Sequence, residues 1–197
     1  YLRNRRDLPW PSVTDLARLC LDAGAAGITV HPRPDERHIR TSDVHALKAL
    51  LDEAAYKGKE FNMEGYPEDR FLQLCEEIKP DQVTLVPDDP AQATSDHGWN
   101  VADNYGMLAE VCSRIHAFDA RISLFVNADP AERVGADRVE LYTGPYGHTF
   151  DAAKKAEELA NLKVAAEAAD AAGLGVNAGH DLTIGNLPAL IEAAPMI

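Results

Sequence analysis

Positive charge is scarce in this sequence. Its 197 residues include 19 Lys and Arg against 32 Asp and Glu, which gives a formal net charge of −13 at pH 7. Proteins that bind nucleic acid draw much of their affinity from neutralising phosphates, so this charge argues against DNA or RNA as a partner. A small phosphorylated ligand would need a local cluster of Arg, His or helix N-termini to overcome the same field.

Long hydrophobic runs are also missing. No stretch approaches the roughly 20 apolar residues of a membrane span, and no basic start leads into a short apolar segment as in a signal peptide. Hydrophobic residues make up 46% and charged residues 26% of the chain, which is ordinary globular composition. We therefore expect a cytoplasmic protein without a membrane segment, folded as one domain over residues 1–197.

Cysteine is rare and irregularly placed. Cys20, Cys75 and Cys112 are odd in number, far apart, and outside any C-x-x-C spacing. Each lies in an apolar pattern of helical period. The sequence therefore predicts three buried thiols rather than disulfides or a metal site.

Short apolar runs bounded by turn residues recur along the chain and predict β-strands. They are AGITVHP near 26–32, EFNMEGYP near 60–67, QVTLVP at 82–87, RISLFVN at 121–127, RVELYTG at 138–144 and GLGVNAG at 173–179. Most gaps between them carry amphipathic helical patterns, and we expect Thr41 or Ser42 to cap one helix and Thr183 another. Strand and helix alternating about six times indicate an α/β fold with a parallel sheet.

Two architectures fit such a pattern, an open doubly wound sheet and a closed (β/α)8 TIM barrel. The first strand-to-helix turns contain no G-x-G-x-x-G, which weakens the doubly wound alternative. Polar residues follow or end many different strands, as a barrel mouth requires. They are His31, Glu64, Asn127, Glu140, Asn177 and His180. The sequence therefore favours the barrel.

A complete barrel needs eight strands and about 250 residues, whereas about six strands are visible here. We expect a barrel without its first and last strands. Between LFVNAD and ADRVELY only PAERVG remains, which is shorter than the crossover that parallel strands require. The sequence therefore predicts omitted residues between 129 and 135.

The stretch ITVHPRPDERHIR places charge directly after a buried strand. His31 ends the strand, and Arg33 and His38 follow on its loop, so the three side chains could clamp a phosphate or another oxyanion. A solvated loop with surface ion pairs is the plainer alternative. A zinc site on His31 and His38 is disfavoured because Arg33 and Arg37 would repel the metal.

Further candidates lie at other strand ends. Glu64, in an otherwise apolar strand, suits a general base, and Glu140 repeats the arrangement, although either could close a structural ion pair. His180 follows a small-residue turn and could act as an acid. Thr94 lies on a long loop that could cover a ligand. The remaining histidines are expected on the surface; they are His45, His97, His116 and His148.

Together these motifs resemble the pyridoxine 5′-phosphate synthase family, the barrel enzymes that close the ring of vitamin B6. The resemblance rests on six motifs in one order, LRNRR, GITVHPRPDERHIR, FNMEGYP, QVTLVPDD, GADRVELYTGPY and VNAGHDLT. It spans nearly the whole chain apart from the shortened piece after Asp129. Each motif is weak alone, but six in register are specific.

The resemblance implies a reaction and an assembly. The family condenses 1-deoxy-D-xylulose 5-phosphate with 3-amino-2-oxopropyl phosphate, giving pyridoxine 5′-phosphate, phosphate and water, with no metal or organic cofactor. It also implies a homo-octamer whose partners are small phosphorylated substrates.

The resemblance further implies roles for eight residues. His31 and Glu64 match two proton acceptors, His180 a proton donor, and Glu140 a carboxylate that stabilises the transition state. The substrate binders are Arg33, His38 and Thr94 for the deoxyxylulose phosphate and Arg6 for the aminoketone phosphate. Two alternatives stay open from the residues alone: another phosphosugar isomerase or aldolase on the same scaffold, or a noncatalytic phosphate-binding barrel.

Overall fold

The computed structural model describes residues 10–88, 92, 94–127 and 134–197. Within these ranges six strands form one sheet. They are β1 (Gly27–Val30), β2 (Glu60–Gly65), β3 (Gln82–Leu85), β4 (Arg121–Val126), β5 (Arg138–Tyr142) and β6 (Gly175–Gly179). Each of the six strands predicted from the sequence is present.

Seven α-helices occur in the same described ranges. They are α1 (Val13–Asp22), α2 (Thr41–Leu51), α3 (Asp69–Ile78), α4 (Tyr105–His116), α5 (Gly144–His148), α6 (Ala152–Ala171) and α7 (Leu187–Ala193). A short 3-10 helix, Ala54–Tyr56, precedes β2. None of the helices described is long and apolar enough to cross a membrane.

The strands lie side by side in sequence order, and every neighbouring pair is parallel. A doubly wound sheet would reverse its strand order at a switch point, and this sheet does not. The strands instead curl into part of a barrel with helices between most of them. The predicted fold class, an α/β chain forming an incomplete (β/α)8 barrel, is confirmed.

The outward face of the sheet is apolar and packs against the helices. Val83 and Leu85 of β3 and Ile122 and Leu124 of β4 are all 0% exposed and belong to one core cluster with helix residues. Burying each such side chain contributes about 1.5–3 kcal/mol. Because side chains alternate along a strand, this packing leaves the intervening residues on the other face.

That inner face is polar. The Asn62 amide donates to Thr29 Oγ1 at 3.3 Å and accepts from Thr84 Oγ1 at 3.1 Å, which links β1, β2 and β3. On β5 and β6, Arg138 Nη2 donates to Asn177 Oδ1 at 2.8 Å. These bonds fix the strands' register, so polar side chains further along the same face reach the carboxyl-terminal rim.

Two predicted helix caps are wrong. Arg40, not Thr41 or Ser42, is the N-cap of α2, because the Asp43 carboxylate accepts a hydrogen bond from the Arg40 backbone N–H at 2.8 Å. Asn186, not Thr183, precedes α7 as its N-cap. At α2 a side chain beyond the expected cap satisfies the free backbone group, whereas Asn186 Oδ1 accepts from the Thr183 backbone N–H at 2.7 Å, ahead of α7.

The cysteine prediction is correct for two residues and wrong for one. Cys75 and Cys112 are buried, and burial raises the pKa of the Cys112 thiol to about 11 and that of Cys75 further. Cys20 is exposed, because α1 turns Ala17 and Leu21 toward the core and leaves Cys20 on its solvent side. The helical period of the pattern is correct, but Cys20 does not lie on the buried face of α1.

The four histidines expected on the surface are all exposed, namely His45, His97, His116 and His148. Two other expectations fall outside the described residues. Arg6 lies in 1–9, and the predicted omission between 129 and 135 falls largely on 128–133. Both stay predictions.

Candidate functional site

The end of β1 meets the end of β2 through a histidine and a glutamate. His31 follows β1 directly, and its Nδ1 lies 3.1 Å from Oε1 of Glu64 near the end of β2. The two side chains are only 17% and 11% exposed. A carboxylate this buried needs a partner to ionise, and the imidazole supplies one.

Arg33 and Asp88 form a second buried pair beside the first. Arg33 Nη2 donates to Asp88 Oδ2, and both side chains are 4% exposed. The same Asp88 oxygen lies 3.9 Å from His31 Nε2. Each charge would be costly to bury alone, so the guanidinium and the carboxylate hold one another at the rim.

The loop after β3 is tied onto this cluster. Ser95 Oγ donates to Asp88 Oδ2 at 2.8 Å and lies 3.5 Å from Glu64 Oε1. The backbone carbonyl of Gln92 accepts from Arg37 Nη1 at 2.6 Å and from Arg33 Nη1 at 3.4 Å. The loops that follow β1 and β3 are therefore joined across the mouth.

Glu140 and His180 form a third group, contributed by β5 and by the turn after β6. His180 Nδ1 lies 4.0 Å from Glu140 Oε1, and their side chains are 19% and 12% exposed. The His180 ring lies 4.8 Å from the Phe125 ring and 5.6 Å from the Tyr142 ring, centroid to centroid. The ring is thus held between aromatic neighbours.

A glycine makes room for the Glu140 carboxyl group. A Cβ atom on Gly179 would lie 2.3 Å from Glu140 Oε1, far inside van der Waals contact. Glu140 and Gly179 also line a cleft of about 490 Å³ on the inner face of the sheet. The absence of a side chain at 179 therefore lets Glu140 occupy its position against β6.

Glu64 is held in its ionised form. Burial opposes ionisation, but the hydrogen bond from His31 and the positive charges of His31, His180 and Arg33 outweigh it and lower the pKa of Glu64. Glu64 is therefore a carboxylate at neutral pH. Its interaction with His180 shows that the groups from β2 and β6 share one electrostatic environment.

Glu140 is held in the opposite state. Burial, followed by the negative charge of Glu64, raises the pKa of Glu140 to about 8. At neutral pH Glu140 is therefore mostly a protonated carboxylic acid. Two carboxyl groups whose pKa values are pushed apart can divide acceptor and donor roles between them.

Five of the eight residues singled out from the sequence lie together at this rim, namely His31, Arg33, Glu64, Glu140 and His180. His38 is exposed on the loop after β1, where partial burial of its ring and the charge of Arg33 lower its pKa. Thr94 is exposed, and its neighbour Ser95 carries the hydrogen bonds. Arg6 lies outside the described residues.

Asp88 and Ser95 were missed by the sequence analysis. Asp88 comes three residues after β3, where an acidic pair interrupts an apolar run, and that interruption was the available signal. Ser95 has no comparable signal in the sequence. Neither partner can be recognised without Arg33, which lies more than 50 residues earlier.

Two of the polar strand-end residues that favoured the barrel, Asn127 and Asn177, make structural hydrogen bonds rather than contacts with the titratable groups at the rim. Asn127 Oδ1 accepts from the Gly98 backbone N–H at 2.9 Å, so it supports the loop before α4. Asn177 is bonded to Arg138 inside the barrel. Among the residues described, no group of three His, Cys, Asp or Glu side chains is arranged to hold a metal ion.

Comparison with known proteins gives a consistent result. Residues 1–197 match the family model described as pyridoxal phosphate biosynthesis protein PdxJ. The chain is 58% identical to a protein of Allorhizobium ampelinum, over all of this chain and 81% of that one. It is 56% identical to a protein of Chelativorans sp. and 58% identical to one of Mesorhizobium japonicum, again over the whole chain and 82% of each relative. All three relatives are named pyridoxine 5′-phosphate synthase.

Proposed function

The chain belongs to the family of the pyridoxal phosphate biosynthesis protein PdxJ, and from that premise we propose that it acts as a pyridoxine 5′-phosphate synthase. The reaction condenses 1-deoxy-D-xylulose 5-phosphate with 3-amino-2-oxopropyl phosphate to give pyridoxine 5′-phosphate, phosphate and water. The proposal depends on one observation: an ionised carboxylate, Glu64, and a protonated carboxylic acid, Glu140, lie at the same rim of the barrel. Such a rim can both take and give protons.

The reaction needs several proton transfers. The amine of one substrate adds to the ketone of the other and loses water, and the resulting imine sheds a carbon-bound proton before phosphate leaves and the ring closes. Each step requires an acid or a base rather than a strong nucleophile. Several titratable groups around one mouth suit this chemistry better than a single activated serine or cysteine.

Glu64 and His31 are the proposed proton acceptors. The lowered pKa of Glu64 keeps its carboxylate ready to accept a proton at neutral pH. His31 Nδ1 lies 3.1 Å from that carboxylate, so once His31 has released its own proton it can take the proton that Glu64 accepts. A buried base that shares its proton with a neighbour can act in more than one step.

His180 and Glu140 are the proposed donors. His180 gives a proton to the departing oxygen. Glu140, protonated because its pKa is about 8, donates a hydrogen bond to the negative charge that develops in the transition state. This revises the role that the resemblance implies, since a neutral acid rather than a carboxylate stabilises the charge.

Arg33, His38 and Thr94 are the proposed binders of the deoxyxylulose phosphate, and Arg6 of the aminoketone phosphate. Arg33 uses Nη2 for Asp88 and Ser95 and Nη1 for Gln92. Among the described residues its Nε–H makes no hydrogen bond. An oriented guanidinium with a free N–H can therefore present a donor to a phosphate oxygen.

The decisive experiment is turnover by the full-length protein. Incubation with both phosphates should release inorganic phosphate and pyridoxine 5′-phosphate in equal amounts. Omitting either substrate is the control for nonspecific phosphatase activity. Absence of product from folded wild-type protein would refute the synthase and would favour a noncatalytic phosphate-binding barrel.

A cytoplasmic homo-octamer is part of the same proposal. Leu16 and Leu19 of α1 are 51% and 66% exposed, and exposed apolar side chains on one helix are the kind that an interface between copies covers. Light scattering on the full-length protein measures the mass directly. A monomer at micromolar concentration would contradict the octamer and leave the reaction unaffected.

A further inference from the structure

The turn that carries His180 has an unusual backbone. His180 and Asp181 have φ values of +83° and +57°, so two consecutive residues with side chains adopt the left-handed conformation. Such residues persist only where the surrounding structure holds them in place. The contacts that hold this turn therefore also determine where the His180 ring lies.

Thr143 supplies the first of these contacts. Its hydroxyl donates to the Gly179 carbonyl at 2.5 Å and also lies against the His180 carbonyl. Its backbone N–H donates to the same Gly179 carbonyl at 2.9 Å. Thr143 is 0% exposed. A single buried hydroxyl thus contacts two successive carbonyls of the strained turn.

Asn186 supplies the second contact. Its Nδ2 donates to the Asp181 carbonyl at 3.1 Å, and its own carbonyl accepts from Tyr146 Oη at 2.7 Å. Three successive carbonyls, those of 179, 180 and 181, are therefore bound from outside the turn. Thr143 contacts the carbonyls of Gly179 and His180, which lie on either side of the His180 Cα atom.

The same region fixes the His180 ring. Thr143 directly follows Tyr142, whose ring meets the His180 ring edge-on at 5.6 Å. His180 Nδ1 is buried and has no hydrogen-bond partner among the described residues. Within the described part of the chain no hydrogen bond from the ring holds it, and the nearest carboxyl oxygen, Glu140 Oε1, is 4.0 Å from Nδ1. Its position therefore depends on the aromatic contacts and on the backbone that Thr143 holds.

We infer that Thr143 is a positioning residue for His180. It donates one hydrogen bond shared between the Gly179 and His180 carbonyls, and this keeps the imidazole aimed at the site. The inference rests on the proposed function, in which His180 is a proton donor. Misplacing a reacting group by about 1 Å can cost about 100-fold in rate, so loss of this hydroxyl should affect turnover more than substrate binding.

The test compares two substitutions of Thr143. Thr143→Val keeps the shape but removes the donor, and we expect kcat to fall by about 10- to 100-fold with KM changed less than threefold. Thr143→Ser keeps the hydroxyl and should restore kcat to within about threefold of wild type. Circular dichroism and thermal unfolding establish that both variants are folded. If Thr143→Val is not folded, Thr143→Cys, with a weaker donor of similar size, takes its place.

A second background separates positioning from general damage. In His180→Asn the proton donor is already absent, so adding Thr143→Val should lower kcat by less than about twofold. A loss as large as in the wild-type background would mean that Thr143 acts on the fold rather than through His180, and would overturn the inference. So would full activity of folded Thr143→Val or Thr143→Cys.

The proposed function and the inference fail differently. If wild-type protein makes no pyridoxine 5′-phosphate, the synthase proposal is wrong. If wild type is active and His180→Asn is slower but still measurable, normal turnover by folded Thr143→Val refutes the inference alone. If His180→Asn is fully active, His180 has no proton to give and the inference falls with that role.

Discussion

His31 and Glu64 form a buried pair in which imidazole Nδ1 and carboxylate Oε1 are 3.1 Å apart. The pair joins the ends of two neighbouring parallel strands. Ser95, on the loop after β3, places its Oγ 3.5 Å from the same Glu64 Oε1. The proposed base is therefore held by three separate segments of the chain.

Glu64→Gln should abolish turnover while leaving the fold intact. The amide has nearly the same shape but cannot accept a proton, and loss of a general base typically costs about 100- to 10,000-fold in rate. Binding of 1-deoxy-D-xylulose 5-phosphate, measured by calorimetry, should change only a few-fold. The control is Glu53→Gln, at an exposed pair with Arg18, which should be fully active. Turnover by Glu64→Gln near the wild-type rate would show that Glu64 is not the base.

Glu140 should make stability depend on pH. Its pKa is about 8 in the folded protein, against an ordinary value of 4.5, so the folded state binds this proton more tightly. The stability that Glu140 contributes to the folded state is fully present below about pH 4.5 and is lost as the pH rises through 8. Relative to wild type, Glu140→Gln should therefore gain up to about 1.4 kcal/mol of unfolding free energy for each pH unit across that window.

Urea unfolding of both proteins at several pH values measures this difference. Glu140→Gln leaves every other titratable side chain in place, so wild type and variant share the remaining pH dependence. If the difference in unfolding free energy between wild type and Glu140→Gln stays constant from pH 4.5 to 8, Glu140 is not protonated in the folded protein.

Asp88→Asn should destabilise the protein strongly. It removes the carboxylate that the Arg33 guanidinium, 4% exposed, contacts directly, and breaking a buried ion pair typically costs about 3–5 kcal/mol. Asp35→Asn is the matched control, because Asp35 pairs with Arg37 on the same loop but is 53% exposed. That change should cost about 1 kcal/mol or less. If urea unfolding shows that Asp88→Asn and Asp35→Asn lose the same amount of unfolding free energy, the buried pair is not important for stability.

Gly179→Ala should impair activity through Glu140. The added methyl group would lie 2.3 Å from Glu140 Oε1, so the carboxyl group must move and kcat should fall. Gly106→Ala is the control, because a Cβ there meets nothing within 4 Å and the residue lies in α4. The control should be as active as wild type and up to about 1 kcal/mol more stable. Wild-type kcat in Gly179→Ala would show that Glu140 tolerates displacement.

Only Cys20 should react with a thiol reagent in the native protein. Cys20 is exposed, whereas Cys112 is buried with its pKa raised to about 11 and Cys75 is buried with a pKa raised further. Since the thiolate is the reacting form, mass spectrometry should find one label in native protein and three after denaturation. Cys20→Ser is the control and should leave native protein unlabelled.

Much of the fold follows from local pattern. Each strand is a short apolar run between turn residues, and each long helix repeats its apolar positions with helical period, so both can be recognised from a few neighbouring residues. Parallel strands end at one rim, and for that reason His31, Glu64, Glu140 and His180 could be chosen as site residues before their contacts were known. Their roles in catalysis stay predictions.

Contacts between distant segments decided the rest. Asp88 matters because Arg33 lies beside it, and Thr143 matters because its hydroxyl contacts the backbone carbonyl of His180. The side of α1 that carries Cys20 faces solvent because the core lies on the other side.

The sequence by itself determined the order of strands and helices and the side chains that reach the barrel mouth, because hydrophobic period and strand ends are local properties. Only the tertiary structure decided which carboxyl group keeps its proton. Glu64 and Glu140 are chemically identical, but Glu64 accepts a hydrogen bond from the His31 imidazole, whereas Glu140 is buried close to the negative charge of Glu64. Protonation depends on burial and on neighbouring charges, and the folded chain alone brings those together.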